Sequence, residues 1–183
     1  MIFQKTDFDG VYVIEPEPRS DNRGFFARVW CEDELSKHHL NTRIAQCSIS
    51  FNKFRGTLRG MHFQDNPFPE TKIVRCTMGS IFDVVIDLRS DSPTYTRWFS
   101  VELSQENRRM LYIPHGFAHG FQTLTDGTEI YYQISEFFHP ECSRGVRWND
   151  PCFSIDWPLG NPILSDRDLT YPDYFPAAPS SKR

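Results

Sequence analysis

Ten short apolar or β-branched runs recur along the chain between turn signals, and hardly anything between them reads as a helix. Val11–Ile14, Phe25–Trp30, Ile44–Ser50, Leu58–Phe63 and Ile73–Thr77 have the composition of strands, as do Ile81–Leu88, Trp98–Leu103, Met110–Ile113, Phe117–Leu124 and Glu129–Phe138. Only Glu32–His39 has helical patterning, and it is short. Parallel strands need long crossover connections, usually helices. A chain with many strands, one helix and no alternation of the two must pair its strands antiparallel, as a sandwich or barrel.

The rest of the composition narrows the class. A chain of 183 residues supports one sizeable core, and no linker, repeat or low-complexity tract divides it, so a single domain over 1–183 is expected. Sixteen Phe, seven Tyr and four Trp beside thirteen Pro and ten Gly fit strands joined by tight turns, enclosing a pocket. The net charge of −4 argues against a nucleic-acid partner. No apolar run is long enough to span a membrane, and a polar stretch follows Met1 where a signal peptide would be apolar. Five irregularly spaced cysteines without a C-x-x-C indicate neither a zinc knuckle nor a disulfide framework. A cytoplasmic protein is expected.

The stretch Phe82–Leu88 alternates best. Phe82, Val84, Ile86 and Leu88 share one face, while Asp83, Val85 and Asp87 share the other, which is expected to line a wet cavity or the outside. The proline-rich tail from Trp157 is expected to wrap the surface with little regular structure.

Three segments carry more polar groups than strands need. In Gly56–Gln64, Arg59 and His62 are three apart, so a regular strand would point them to opposite faces, and a bulge near Gly60 is required to bring them together. His62 is then either structural or catalytic. The second segment, Pro114–Phe121, contains a P-x-G-x-x-H stretch that resembles the second motif of cupins, small double-stranded β-barrels. The first cupin motif supplies a H-x-H metal pair, but here the stretch reads His62-Phe63-Gln64. His62 and His119 alone fall short of the three or four ligands a metal needs, so no metal site is expected. His119 is either a hydrogen-bonded barrel histidine or a substrate contact. In the third segment, Glu129–Phe138, adjacent Tyr131 and Tyr132 face opposite sides, so at most one enters the barrel. A buried tyrosine beside a histidine makes a workable acid and base pair.

Taken together these segments resemble the dTDP-4-dehydrorhamnose 3,5-epimerase family of nucleotide-sugar epimerases. The likeness runs from about Asp21 to Asp168. It includes Asp21–Phe26, Thr57–Gln64, Lys72–Cys76, Phe82–Val84, Asp91–Thr94, Ile113–Phe121, Trp148–Pro151 and Leu164–Asp168. The resemblance implies an all-β, cupin-type jelly-roll barrel with one or two short helices. It implies inversion at C3 and C5 of a dTDP-linked 4-keto-6-deoxyhexose in deoxysugar biosynthesis. The ketone acidifies both carbons, and inversion needs a base, an acid on the opposite face and a positive group at the enolate oxygen. By resemblance His62 is the base, Asp168 the carboxylate orienting it, Tyr132 the acid and Lys72 the enolate stabiliser, with no cofactor.

Arg23, Gln46, Arg59 and His119 match positions that contact the nucleotide or sugar, and Arg167 a basic position at the substrate. Arginine forks suit a diphosphate. Phe138 matches an aromatic, usually Tyr, that stacks on the base. The chain departs from the family pattern at Arg28 and Ser143, each in place of a glutamate, and in Gln46-Cys47-Ser48 in place of Gln-Asp-Asn. The nucleobase preference is therefore open, with UDP-, CDP- or GDP-linked sugars as alternatives. Inversion of one carbon only is a further alternative, and so is a non-catalytic nucleotide-sugar-binding cupin. Family members pair as homodimers with exchanged N-terminal strands, which would put Arg23 in a neighbour's site.

Overall fold

Among the described residues every ladder between strands is antiparallel, as a chain without crossover helices requires, and a single parallel bridge joins Thr57 to Ile163. The computed structural model describes residues 1–176; the rest of the tail, and the end of the domain expected over 1–183, lie outside the described residues. The chain begins with β1 (Ile2–Lys5), β2 (Tyr12–Glu15), β3 (Arg19–Asp21), β4 (Gly24–Phe26) and α1 (Glu32–Lys37). β5 (Gln46–Asn52), β6 (Leu58–Gln64), β7 (Lys72–Met78), β8 (Ser80–Asp87) and β9 (Trp98–Ser104) follow. Then come β10 (Met110–Ile113), β11 (Phe117–Thr123), β12 (Thr128–Ile134), a 3-10 turn (Pro140–Cys142), β13 (Ser143–Gly145) and α2 (Asp166–Leu169).

Two sheets face each other as a jelly roll. The larger has the order β1-β2-β10-β7-β12-β5, and the smaller β13-β6-β11-β8-β9. Between them lies a core of inward residues from both, among them Val13, Val74, Leu111 and Ile130 from the larger sheet and Ile81, Val85, Leu103 and Phe121 from the smaller. The outer face of the larger sheet is covered near β2 and β10, where Leu35 of α1 packs on Tyr12, Ile14, Met110 and Tyr112. The outer face of the smaller sheet is covered by the returning C-terminal chain, with Val146, Phe153 and Trp157 over Met61, Val84 and Ile86. That return carries α2 back over β6, and it positions the site.

Several expected boundaries shift for identifiable reasons. The strand expected over Phe25–Trp30 stops at Phe26, because β3 and β4 form a separate hairpin whose residues are all exposed. The strand expected over Glu129–Phe138 ends at Ile134. There Ser135 turns the chain by exchanging bonds with Thr71, the Ser135 N–H donating to the Thr71 carbonyl (3.0 Å) and the Thr71 N–H to Ser135 Oγ (2.8 Å). The strand expected over Ile44–Ser50 runs instead from Gln46 to Asn52. The acidic face of β8 is not wet: Asp83 and Asp87 are both fully buried. Asp87 is satisfied by the Arg89 guanidinium (Nε 2.9 Å, Nη2 2.8 Å) and Thr94 Oγ1 (2.6 Å). The tail, expected to be irregular, contains α2, begun by Ser165 Oγ accepting from the Asp168 N–H at 3.2 Å.

Candidate active site

Arg59 and His62 face the same space because β6 carries one extra residue. On β11 His119 opposes His62 and Phe121 opposes Arg59, two residues of advance against three. The bulge falls on Gly60, whose φ of 150° is one that L side chains rarely adopt. A Cβ there would lie 2.6 Å from the Gly120 Cα, so the two strands meet glycine to glycine. Beyond the bulge the alternation resumes, with Met61 in the outer cluster and His62 and Gln64 inside.

The larger sheet supplies the opposite wall. On β12 Tyr132 faces Ser48 across one ladder, and Ile134 faces Gln46 and Lys72 across its two. Together the sheets enclose a cavity of about 320 Å³ lined by Gln46, Ser48, Ser50, Arg59, His62, Phe63, Gln64, Glu70, Lys72, His119, Phe121, Tyr132, Ile134, Phe138, Ser143 and Arg167. His62 and Tyr132 therefore stand on opposite walls of one cavity. Of the catalytic and substrate-binding positions implied by the family resemblance, Arg23, Arg28 and Asp168 are the three not in this lining. Asp168 lies directly behind His62, while Arg23 and Arg28 lie away from the cavity. Arg23, 85% exposed on the β3–β4 hairpin, pairs with Asp21 at 2.6 Å, and Arg28 pairs with Glu34 at 2.8 Å.

The His62 ring is partly exposed (38%), and its Nε2 lies 2.6 Å from Oδ1 of Asp168, which is 4% exposed. Burial alone would push the Asp168 carboxyl up. The bonds from His62, Ser165 and the Gly60 backbone overcome this and hold it below the usual carboxylate value. A carboxylate so placed fixes the orientation of the ring. Across the cavity, burial drives the Tyr132 phenol well above its ordinary value, and the charge of Asp83 adds to this. It stays neutral near pH 7 and can donate a proton. At the cavity base, His119 Nε2 is 2.8 Å from Asp83 Oδ1.

The cations have partners. Lys72 Nζ is 2.8 Å from Glu70 Oε1. Arg59 Nε donates to Asn52 Oδ1 at 2.7 Å, so one edge of the guanidinium is anchored. At the rim Arg167 Nη2 donates to Ser143 Oγ at 2.8 Å. Asn52, Ser50, Glu70 and Gln64 are site residues that the sequence reading did not assign. Asn52 and Ser50 could have been found from the alternation of Gln46, Ser48, Ser50 and Asn52 along β5. Glu70 follows from no strand pattern, being in a loop. Among the described residues no group of three or more His, Cys, Asp or Glu side chains is placed to hold a metal ion.

A family model described as dTDP-4-dehydrorhamnose 3,5-epimerase matches residues 5–174. The dTDP-4-dehydrorhamnose 3,5-epimerase of Methanothermobacter thermautotrophicus is 45% identical over 172 residues, covering 92% of each chain. The crystal structure of the Bacillus anthracis dTDP-4-dehydrorhamnose 3,5-epimerase with TDP and PPi bound superposes with a TM-score of 0.92 at 39% identity, over 94% of this chain and 99% of that one. A 3'-monoepimerase from Streptomyces bikiniensis, in complex with dTDP-quinovose, gives a TM-score of 0.86 at 31% identity, over 92% and 85%.

Proposed function

The chain belongs to the dTDP-4-dehydrorhamnose 3,5-epimerase family, and on that premise we propose that it inverts C3 and C5 of a dTDP-linked 4-keto-6-deoxyhexose in deoxysugar biosynthesis. The observation that carries the reading is the placement of His62 and Tyr132 on facing sheets of one cavity, with Asp168 2.6 Å behind the histidine. Inversion takes a proton from one face of a carbon and returns one to the other. His62 removes the proton next to the ketone. The electron pair moves into the enolate, whose oxygen is met by the Lys72 ammonium. Tyr132 then delivers a proton to the opposite face. Asp168 holds the His62 ring in place and stabilises its charge. The chemistry draws on the substrate's own ketone and uses no cofactor.

Arg59 and Arg167 supply positive charge for the diphosphate, and Gln46, Ser48, His119 and Ser143 supply polar contacts to the sugar and nucleotide. Phe138 offers a flat face at the mouth for the base. Inverted alternation on β5 supports a homodimer. Its polar residues line the cavity, while Ile49 (66%) and Phe51 (52%) are exposed on the other side. We assign Arg23 and Arg28, on or beside the projecting hairpin, to the partner's cavity. Five free cysteines fit a reducing cytoplasm. The likeness to a 3'-monoepimerase supports a second reading, inversion at one carbon only. Incubation with matched dTDP-, UDP-, CDP- and GDP-linked 4-keto-6-deoxyhexoses, with products read by NMR, tests the reading. Inversion of the dTDP sugar is expected; binding without turnover of any of the four overturns it.

A further inference from the structure

We propose that Gln64 is a positioning residue for nucleotide recognition: its buried amide clamps the two loops at the cavity mouth and so presents Phe138 to the base. This rests on the reading that Phe138 stacks on the nucleobase. Gln64 Nε2 donates to the Phe68 carbonyl (2.9 Å) and to the Phe137 carbonyl (3.1 Å), and Oε1 accepts from the His139 N–H (2.6 Å). The amide thus bonds the residue before Phe138 and the residue after it, and ties both to the loop that follows β6. The same loops meet a second time, where the Phe68 and His139 rings stack with centroids 3.7 Å apart and 6° between planes.

Phe138 needs such support. Its ring is 57% exposed, so core packing does not hold it, and its orientation depends on its backbone. An aromatic platform that is already ordered loses less entropy when a base settles on it. The clamp also accounts for glutamine at the position where cupins place a second metal-binding histidine. Two donors and an acceptor at one end of a side chain are what a primary amide has, whereas a neutral imidazole has one of each.

The test is a double-mutant cycle on dTDP affinity, measured by calorimetry for the wild type, Gln64→Leu, Phe138→Ala and the double variant. Gln64→Leu is expected to weaken dTDP binding roughly 5- to 10-fold, at the low end of the range that loss of a stacking platform produces. In the Phe138→Ala background it is expected to weaken binding no further. KM for the nucleotide sugar rises in step, while kcat falls by no more than about 3-fold, since the clamp lies at the nucleotide end. If Gln64→Leu fails to fold, Gln64→Glu, which keeps the acceptor and loses both donors, enters the same cycle. Wild-type affinity in the Gln64 variant, or an equal loss in both backgrounds, overturns the clamp and leaves the stacking reading standing. Unchanged affinity in Phe138→Ala overturns both.

Discussion

His62 and Asp168 are 106 residues apart in sequence and 2.6 Å apart in space. His62→Asn and Tyr132→Phe each remove one proton-transfer group at nearly constant shape, and each is expected to lower turnover about 10²- to 10⁴-fold with the fold retained. Steady-state kinetics on the folded variants checks this, and wild-type turnover in either rejects that residue's role. The Asp168 carboxyl also ties stability to pH. Its value in the folded protein is depressed below the ordinary 3.8, so its contribution is complete above that value and is lost as pH falls through the lower, folded one. Asp168→Asn is therefore expected to flatten the acid limb of a plot of urea-melt stability against pH. An unchanged acid limb would show the pair to be energetically silent. Residue identity made His62, Lys72, Tyr132 and Asp168 legible in the sequence through a family likeness. It did not reveal Glu70 beside Lys72 or Asn52 beneath Arg59, because each draws its meaning from a partner that only the fold supplies.

At the scale of elements, the bulge on β6 decides whether Arg59 and His62 share a cavity. Gly60→Ala puts a methyl group against the Gly120 backbone at a φ of 150°. We expect a loss of about 1–3 kcal/mol in urea melts together with reduced turnover, since β6 cannot yield there without moving His62. A variant with wild-type stability and kcat would show that the close glycine contact is dispensable. The need for this bulge is visible in sequence, because residues three apart cannot share a strand face otherwise. The long strands were legible from their apolar and β-branched composition, and FDVVIDL also from its alternation over seven residues. β1, β3 and β13 have three or four residues each, too few for a period to show. Nor does composition tell α2 from the surrounding prolines; the Ser165 cap and its packing on β6 make it a helix.

The whole molecule brings together two walls that neither sheet could supply alone, one holding His62 and the other Tyr132. It also leaves every residue of the β3–β4 hairpin exposed, and Ile49 and Phe51 exposed on the face of β5 turned from the cavity; the proposed homodimer makes use of both. Co-expressing Arg23→Ala with His62→Asn is expected to recover turnover. In a mixed dimer one cavity receives its histidine from the first variant and its arginine from the second. No recovery, with mixed dimers shown by tag pull-down, would place Arg23 in its own chain's service. In the proposed mechanism one acid and base pair acts on both carbons beside the ketone. This is tested most directly by incubating the enzyme with a dTDP-4-keto-6-deoxyhexose in heavy water and locating the label by NMR. Deuterium at both C3 and C5 is the predicted result; label at one carbon alone through complete turnover, or at neither, contradicts it.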